Sequence, residues 1–124
     1  MKTLQDWVGH LIKQAREECG LTQQYVADEI NMDIRTLRSI EEGKTDPDFL
    51  TLEKLIRFLH ISPKIMFYAE QNESGLQMDK VYRQLLHFTP EQISMIYESS
   101  LHVRSWYQEH DVEYREFLEK HSLC

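Results

Sequence analysis

The chain has 124 residues, 41% hydrophobic and 28% charged, which suits one compact domain or a small domain with an appendage. Fourteen Lys and Arg stand against twenty-one Asp and Glu, a net charge of -7, and this argues against a protein that coats nucleic acid without regard to sequence. The longest uncharged apolar stretches, such as IMFYA, fall far short of the roughly 18–20 residues that a membrane crossing needs. Asp6 stands where a signal peptide would keep its apolar core, and two cysteines make no disulfide framework. The expected setting is cytoplasmic.

In chain order, the spacing of apolar residues predicts helices throughout and no strand, so the fold class is all-α. Leu4, Val8, Leu11, Ile12, Ala15 and Cys19 recur at intervals of three and four behind Thr3 as N-cap, and Gly20 ends this first helix. Thr22 caps a short second helix with Val26, Ala27 and Ile30 on one face. Asp33 caps a third, with Leu37 and Ile40 inward and Gly43 as its stop. Asp48 caps a fourth that buries Phe49, Leu52, Leu55, Ile56 and Leu59. Ser62 and Pro63 start a fifth, since proline suits the first helical position.

The polar run QNESG, residues 71–75, reads as a linker between a domain over 1–70 and a C-terminal helical segment over 76–124. In that segment Met78, Val81, Tyr82, Leu85 and Leu86 form a helical stripe, and TPEQ supplies a capping box from Thr89 to Gln92. A long helix follows through Trp106 and Tyr107. Asp111 breaks it and recaps a final turn and a half carrying Tyr114, Phe117 and Leu118.

The stretch QQYVADEINMDIRTLRSIEE, residues 23–42, has the parts of a helix-turn-helix. Ala27 is small where two helices cross closely, and Asn31 at the turn tolerates positive φ. Val26, Ile30, Met32, Leu37 and Ile40 make the apolar wedge beneath both helices. The outward residues of the third helix are Ile34, Arg35, Thr36, Arg38 and Ser39. Arg35 and Arg38, three apart, share a helical face, and arginine can bond guanine O6 and N7 together. Ile34 or the Thr36 methyl could meet a thymine methyl. Both arginines have a plainer reading as solvated charges paired with Glu41 and Glu42, and Gln24 as an exposed residue.

With the LIKQAREECGLTQ lead-in, the TQQYVA helix, the IEEG end of the third helix and TDPDFLTLEKL, residues 8 to about 68 resemble the Xre or lambda-repressor/Cro class of helix-turn-helix domains. The departures are Asn31 for the usual glycine and Asp33 where serine or threonine commonly caps. The resemblance implies a five-helix lambda-repressor-like domain whose second helix lies across the DNA backbone and whose third enters the major groove. It implies that Gln23 bonds a phosphate and braces the recognition helix, and that Arg16 and Glu41 tie the first helix to the third. Gln24, Lys44 and Thr45 are then candidates for further phosphate contacts.

No HExxH, Cys-His zinc spacing, P-loop, GxGxxG or GxSxG occurs, so no enzyme activity, metal or cofactor is expected. His110 with Asp111 and Glu113 is the nearest approach to a ligand cluster and reads as an exposed helix end. Cys19 fits the buried face of the first helix, and Cys124 reads as a mobile terminal thiol. Residues 71–124 carry five basic and nine acidic side chains, so this part should avoid DNA, and its spare apolar residues suit a subunit interface. The expected protein is therefore a homodimeric, sequence-specific regulator, a repressor, on a palindromic duplex operator. The rival is a protein-binding module of the same fold, an antitoxin or antirepressor. Nine basic against twelve acidic residues over 1–70 keep that rival open.

Overall fold

The computed structural model describes residues 3–121, and among them the chain is helical without strands. The elements are α1 (Leu4–Glu18), α2 (Gln23–Glu29), α3 (Ile34–Glu41), α4 (Phe49–Leu59), α5 (Pro63–Tyr68), α6 (Glu73–Leu85), α7 (Pro90–His110) and α8 (Val112–His121). No described helix is long and apolar enough to cross a membrane. Cys124 lies outside the described residues.

The predicted starts are set by short-range capping. Thr3, Thr22, Asp33, Asp48, Ser62 and Thr89 are the N-caps of α1 to α5 and α7, each with its side chain accepting a backbone N–H of the first turn. The Thr89–Gln92 capping box closes in both directions. Positive φ occurs at Asn31 (57°), in the turn between α2 and α3, and at His60 (55°), the C-cap of α4. Cys19 is the C-cap of α1 and is exposed, contrary to its expected place on the buried face.

The chain forms two compact units that divide after Leu86. The core of the first collects Trp7, Leu11, Ile12 and Ala15 from α1, Val26 and Ala27 from α2, Leu37 and Ile40 from α3, Leu55 and Leu59 from α4, and Ile61 and Met66. The Trp7 indole N–H donates to the Met66 carbonyl at 2.9 Å, so burying it leaves no unpaired donor. Gly9 lets α1 ride directly on α3: a Cβ there would lie 2.2 Å from the Ile40 carbonyl oxygen. Phe49, expected in the core, is 81% exposed at the first turn of α4.

QNESG is not a linker. Asn72 caps α6 by accepting from the Ser74 and Gly75 amides, and Gly75 sits so tightly that a Cβ would stand 2.9 Å from the Trp7 ring. Leu76 packs on the core, and Asp79 and Arg83 are buried one turn apart. Arg83 donates to Asp79 and to Glu18 of α1, so an ionic clamp holds α6 to α1 within the first unit. Met78 and Val81, expected on the buried stripe, face outward at more than half exposure. The helix is seated by its polar side, a partner choice that a local apolar pattern does not reveal.

In the second unit α7 contributes no buried residue. Asp111 ends α7 and accepts from the Tyr114 amide at 3.1 Å, which starts α8, a ten-residue helix rather than a turn and a half. Within α7 Trp106 stacks on His110 at 4.6 Å, and across the break Tyr107 meets Tyr114 edge-on at 5.6 Å.

Candidate nucleic-acid interface

The α2–α3 corner is built around Ala27, which is fully buried. The Met32 amide donates to the Ala27 carbonyl at 2.9 Å, a return made possible by the left-handed Asn31. Below the corner runs a buried polar network. Arg16 donates through Nε and Nη2 to the two Glu41 oxygens at 2.8 and 2.9 Å, and through Nη1 to the Leu21 carbonyl at 2.8 Å. The resemblance implied this pair, and here it locks the C-terminal end of α3 to α1.

Gln23 belongs to the same network. Its amide donates to Glu41 Oε1 at 3.0 Å, half-buried, so it ties the start of α2 to the end of α3 and has one donor already engaged. Gln24 is exposed and bonds Asp28 at 2.8 Å. Of the outward residues expected on α3, Arg35, Thr36 and Arg38 are exposed. Ile34 is half-buried and packs against the core, so its reach toward a groove is shorter than expected.

Asp33, Arg35, Thr36, Ser39 and Thr45 line one open concavity on this face. The Ser39 and Thr45 hydroxyls bond each other across it. Gln5 fixes the same loop from behind, because its amide oxygen, turned to the orientation its neighbours require, accepts from the Thr45 and Asp46 amides at 3.1 Å. The Thr45 backbone donor is thereby spent on the fold. Gln5 and Ser39 were not among the site residues expected from sequence.

The charges on this face carry their own counter-charges. Arg35 pairs with Asp33 at 2.8 Å and Lys44 with Glu42 at 2.9 Å. Asp33 as the partner of Arg35 differs from the Glu41 and Glu42 of the plainer sequence reading of the arginines. The Arg35 side chain, then its backbone amide, hold the Asp33 carboxyl down to about 2. Glu42 is likewise held below the usual carboxylate range by Lys44 first, with Arg38 and Lys13 adding weaker fields. Arg38 lies exposed, with no carboxylate at ion-pair distance among the described residues.

A two-helix corner closed on a buried small residue, with a left-handed turn and a half-exposed second helix, defines a helix-turn-helix domain. Residues 12–65 match the family model described as Helix-turn-helix, and this part of the chain is a domain of the Xre and lambda-repressor/Cro-like family, a class of DNA-binding regulators. No solved structure matches the chain. Among the described residues no group of three His, Cys, Asp or Glu side chains could hold a metal ion.

Proposed function

We propose that the protein is a sequence-specific transcriptional regulator, a repressor, that binds a two-fold palindromic operator as a homodimer in the cytoplasm and catalyses no reaction. The observation that carries this reading is the α3 face, where Arg35, Thr36 and Arg38 are exposed together on a helix fixed from behind by Glu41 and Gly9. Arg35 and Arg38 read bases; Lys44, Gln24 and the Thr45 hydroxyl approach phosphates, and Gln23 does so with the donor that Glu41 leaves over. Ile34, half-buried, offers at most the edge of its side chain to a thymine methyl.

In duplexes selected from a random pool, Arg35→Ala or Arg38→Ala is expected to cost about 1–3 kcal/mol and to relax preference at one or two base pairs. Lys44→Ala should weaken all duplexes alike and flatten the salt slope by about one unit. Unchanged binding by both arginine variants would remove the recognition-helix assignment.

The second unit supplies the reason for pairing. Ile93, Ile96, Leu101, Trp106 and Tyr107 are all more than a third exposed on α7, too much apolar surface for two helices to cover alone. A second copy covers it and sets two recognition helices about 34–36 Å apart. Sedimentation of the full chain at micromolar concentration should show a dimer, and Ile93→Glu with Ile96→Glu should give a folded monomer with weak operator affinity. A parent chain that sediments as a monomer overturns this part of the proposal.

A specific observation favours a second reading. Asp33 and Glu42 beside Arg35 and Lys44 make the outer face nearly neutral, which suits a protein partner, as in an antitoxin or antirepressor. Failure to retain any duplex at low salt would select it.

A further inference from the structure

Arg35 is 83% exposed at its side chain, yet it is held at three points. Its backbone amide donates to Asp33 Oδ1 at 2.7 Å, its Nε to the same oxygen at 3.2 Å, and its Nη2 to Oδ2 at 2.8 Å. One carboxylate thus caps α3 and clamps the guanidinium two residues ahead.

A guanidinium has five N–H groups on two edges that can each serve a pair of acceptors. The side edge, Nε with Nη2, is taken by Asp33. The end edge, Nη1 with the second proton of Nη2, is left over. That edge presents two parallel donors, the pattern that guanine O6 and N7 accept in the major groove. Arg35 lines the same concavity as Thr36, Ser39 and Thr45. A long side chain otherwise loses much rotational freedom on binding a base; one already clamped loses less.

Resting on the proposed reading of α3 as the base-reading helix, we infer that Asp33 is a specificity-determining positioning residue, which holds the Arg35 guanidinium by its Nε/Nη2 side and aims its Nη1/Nη2 end at a guanine. Asp33 keeps its charge at any pH where the protein meets DNA, since Arg35 holds its carboxyl down to about 2. The carboxylate is also a negative charge at the N-terminal end of α3 that the proposed reading turns toward DNA, so its removal has two separable consequences. Charge loss raises affinity for every duplex alike, whereas loss of the clamp acts at one base pair.

The experiment uses the full chain and duplexes enriched from a random pool by the parent, each resynthesised with all four base pairs at every position. Arg35→Ala first identifies the base pair that Arg35 reads. Asp33→Ser keeps an N-cap but cannot span to the guanidinium. It is expected to lower discrimination at that same base pair about tenfold, to leave the melting temperature near that of the parent, and to add nothing in the Arg35→Ala background. Asp33→Asn, which caps equally well and keeps one neutral acceptor, should fall between the two and serves if the serine variant folds poorly. Parent-like discrimination at that base pair in Asp33→Ser, whether or not affinity rises equally on all duplexes, overturns the inference while leaving the recognition helix intact. If Arg35→Ala itself relaxes no position, the base-reading role of Arg35 fails and the inference falls with it.

Discussion

Arg83→Met is expected to destabilise the first unit by about 3–5 kcal/mol near neutral pH, the usual consequence of leaving one member of a buried ion pair behind. Asp79 is 1% exposed, and Arg83 is its ionic partner on the same helix. Burial already pushes the Asp79 carboxyl above its ordinary value, against the opposing pull of the Arg83 bond. Without Arg83 that pull is gone and the carboxyl rises further.

The sign of the pH dependence follows. A carboxyl whose folded pKa lies above the unfolded value of about 3.9 favours the folded state most fully below that value, and the benefit fades as pH rises through the folded pKa. The gap between parent and variant should therefore be widest at pH 7 and shrink toward pH 4. Urea midpoints by circular dichroism at both pH values measure it. An equal gap at both would show that Asp79 is not the group left stranded. Arg83→Met with Asp79→Leu should recover most of the loss, since an apolar pair needs no counter-charge.

This clamp also shows why the seating of α6 is not legible in its own sequence. The starts of α1 to α5 and α7 were legible because the information is local: a hydroxyl or carboxylate and the amide it caps lie two or three residues apart. Asn31 at the turn and the pairing of Arg16 with Glu41 were legible through the motif. The seating of α6 depends instead on Glu18, 65 residues from Arg83 in sequence, so the stripe of Met78 and Val81 looked like the buried side and the polar run before it like a linker. Gly9 carries no periodic signal at all; its requirement appears only when the Ile40 carbonyl is set against it.

The candidate site divides in the same way. Arg35, Thr36 and Arg38 face outward as a helical wheel demands, and Lys44 is exposed in the turn after α3. The engagement of Gln23 by Glu41 needs the tertiary fold. The Asp33–Arg35 clamp is local, but its sequence signal is the same as that of an N-cap, which Asp33 also is.

Arg16→Met is expected to cost a similar amount, about 3–5 kcal/mol, with a different consequence. Glu41 has only 2% of its side chain exposed and would keep Gln23 as its remaining bonded partner. It is also the last residue of α3, so the structure relaxes by letting that end of α3 swing toward water. Operator affinity should fall with stability, even though Arg16 itself is buried beneath the α2–α3 corner. Replacing both partners, Arg16→Met with Glu41→Leu, tests whether geometry or charge matters. No stranded carboxylate remains, and the losses are the bonds to the Leu21 carbonyl and from Gln23, about 1 kcal/mol each. The double variant should therefore fold within about 2 kcal/mol of the parent. If the pair serves only to pin α3, operator binding returns with folding, and Gln23, released from Glu41, gains a second donor for phosphate. A double variant that folds normally yet does not bind would mean that the Arg16–Glu41–Gln23 network orients the recognition helix more finely than packing on Gly9 and Ala27 can.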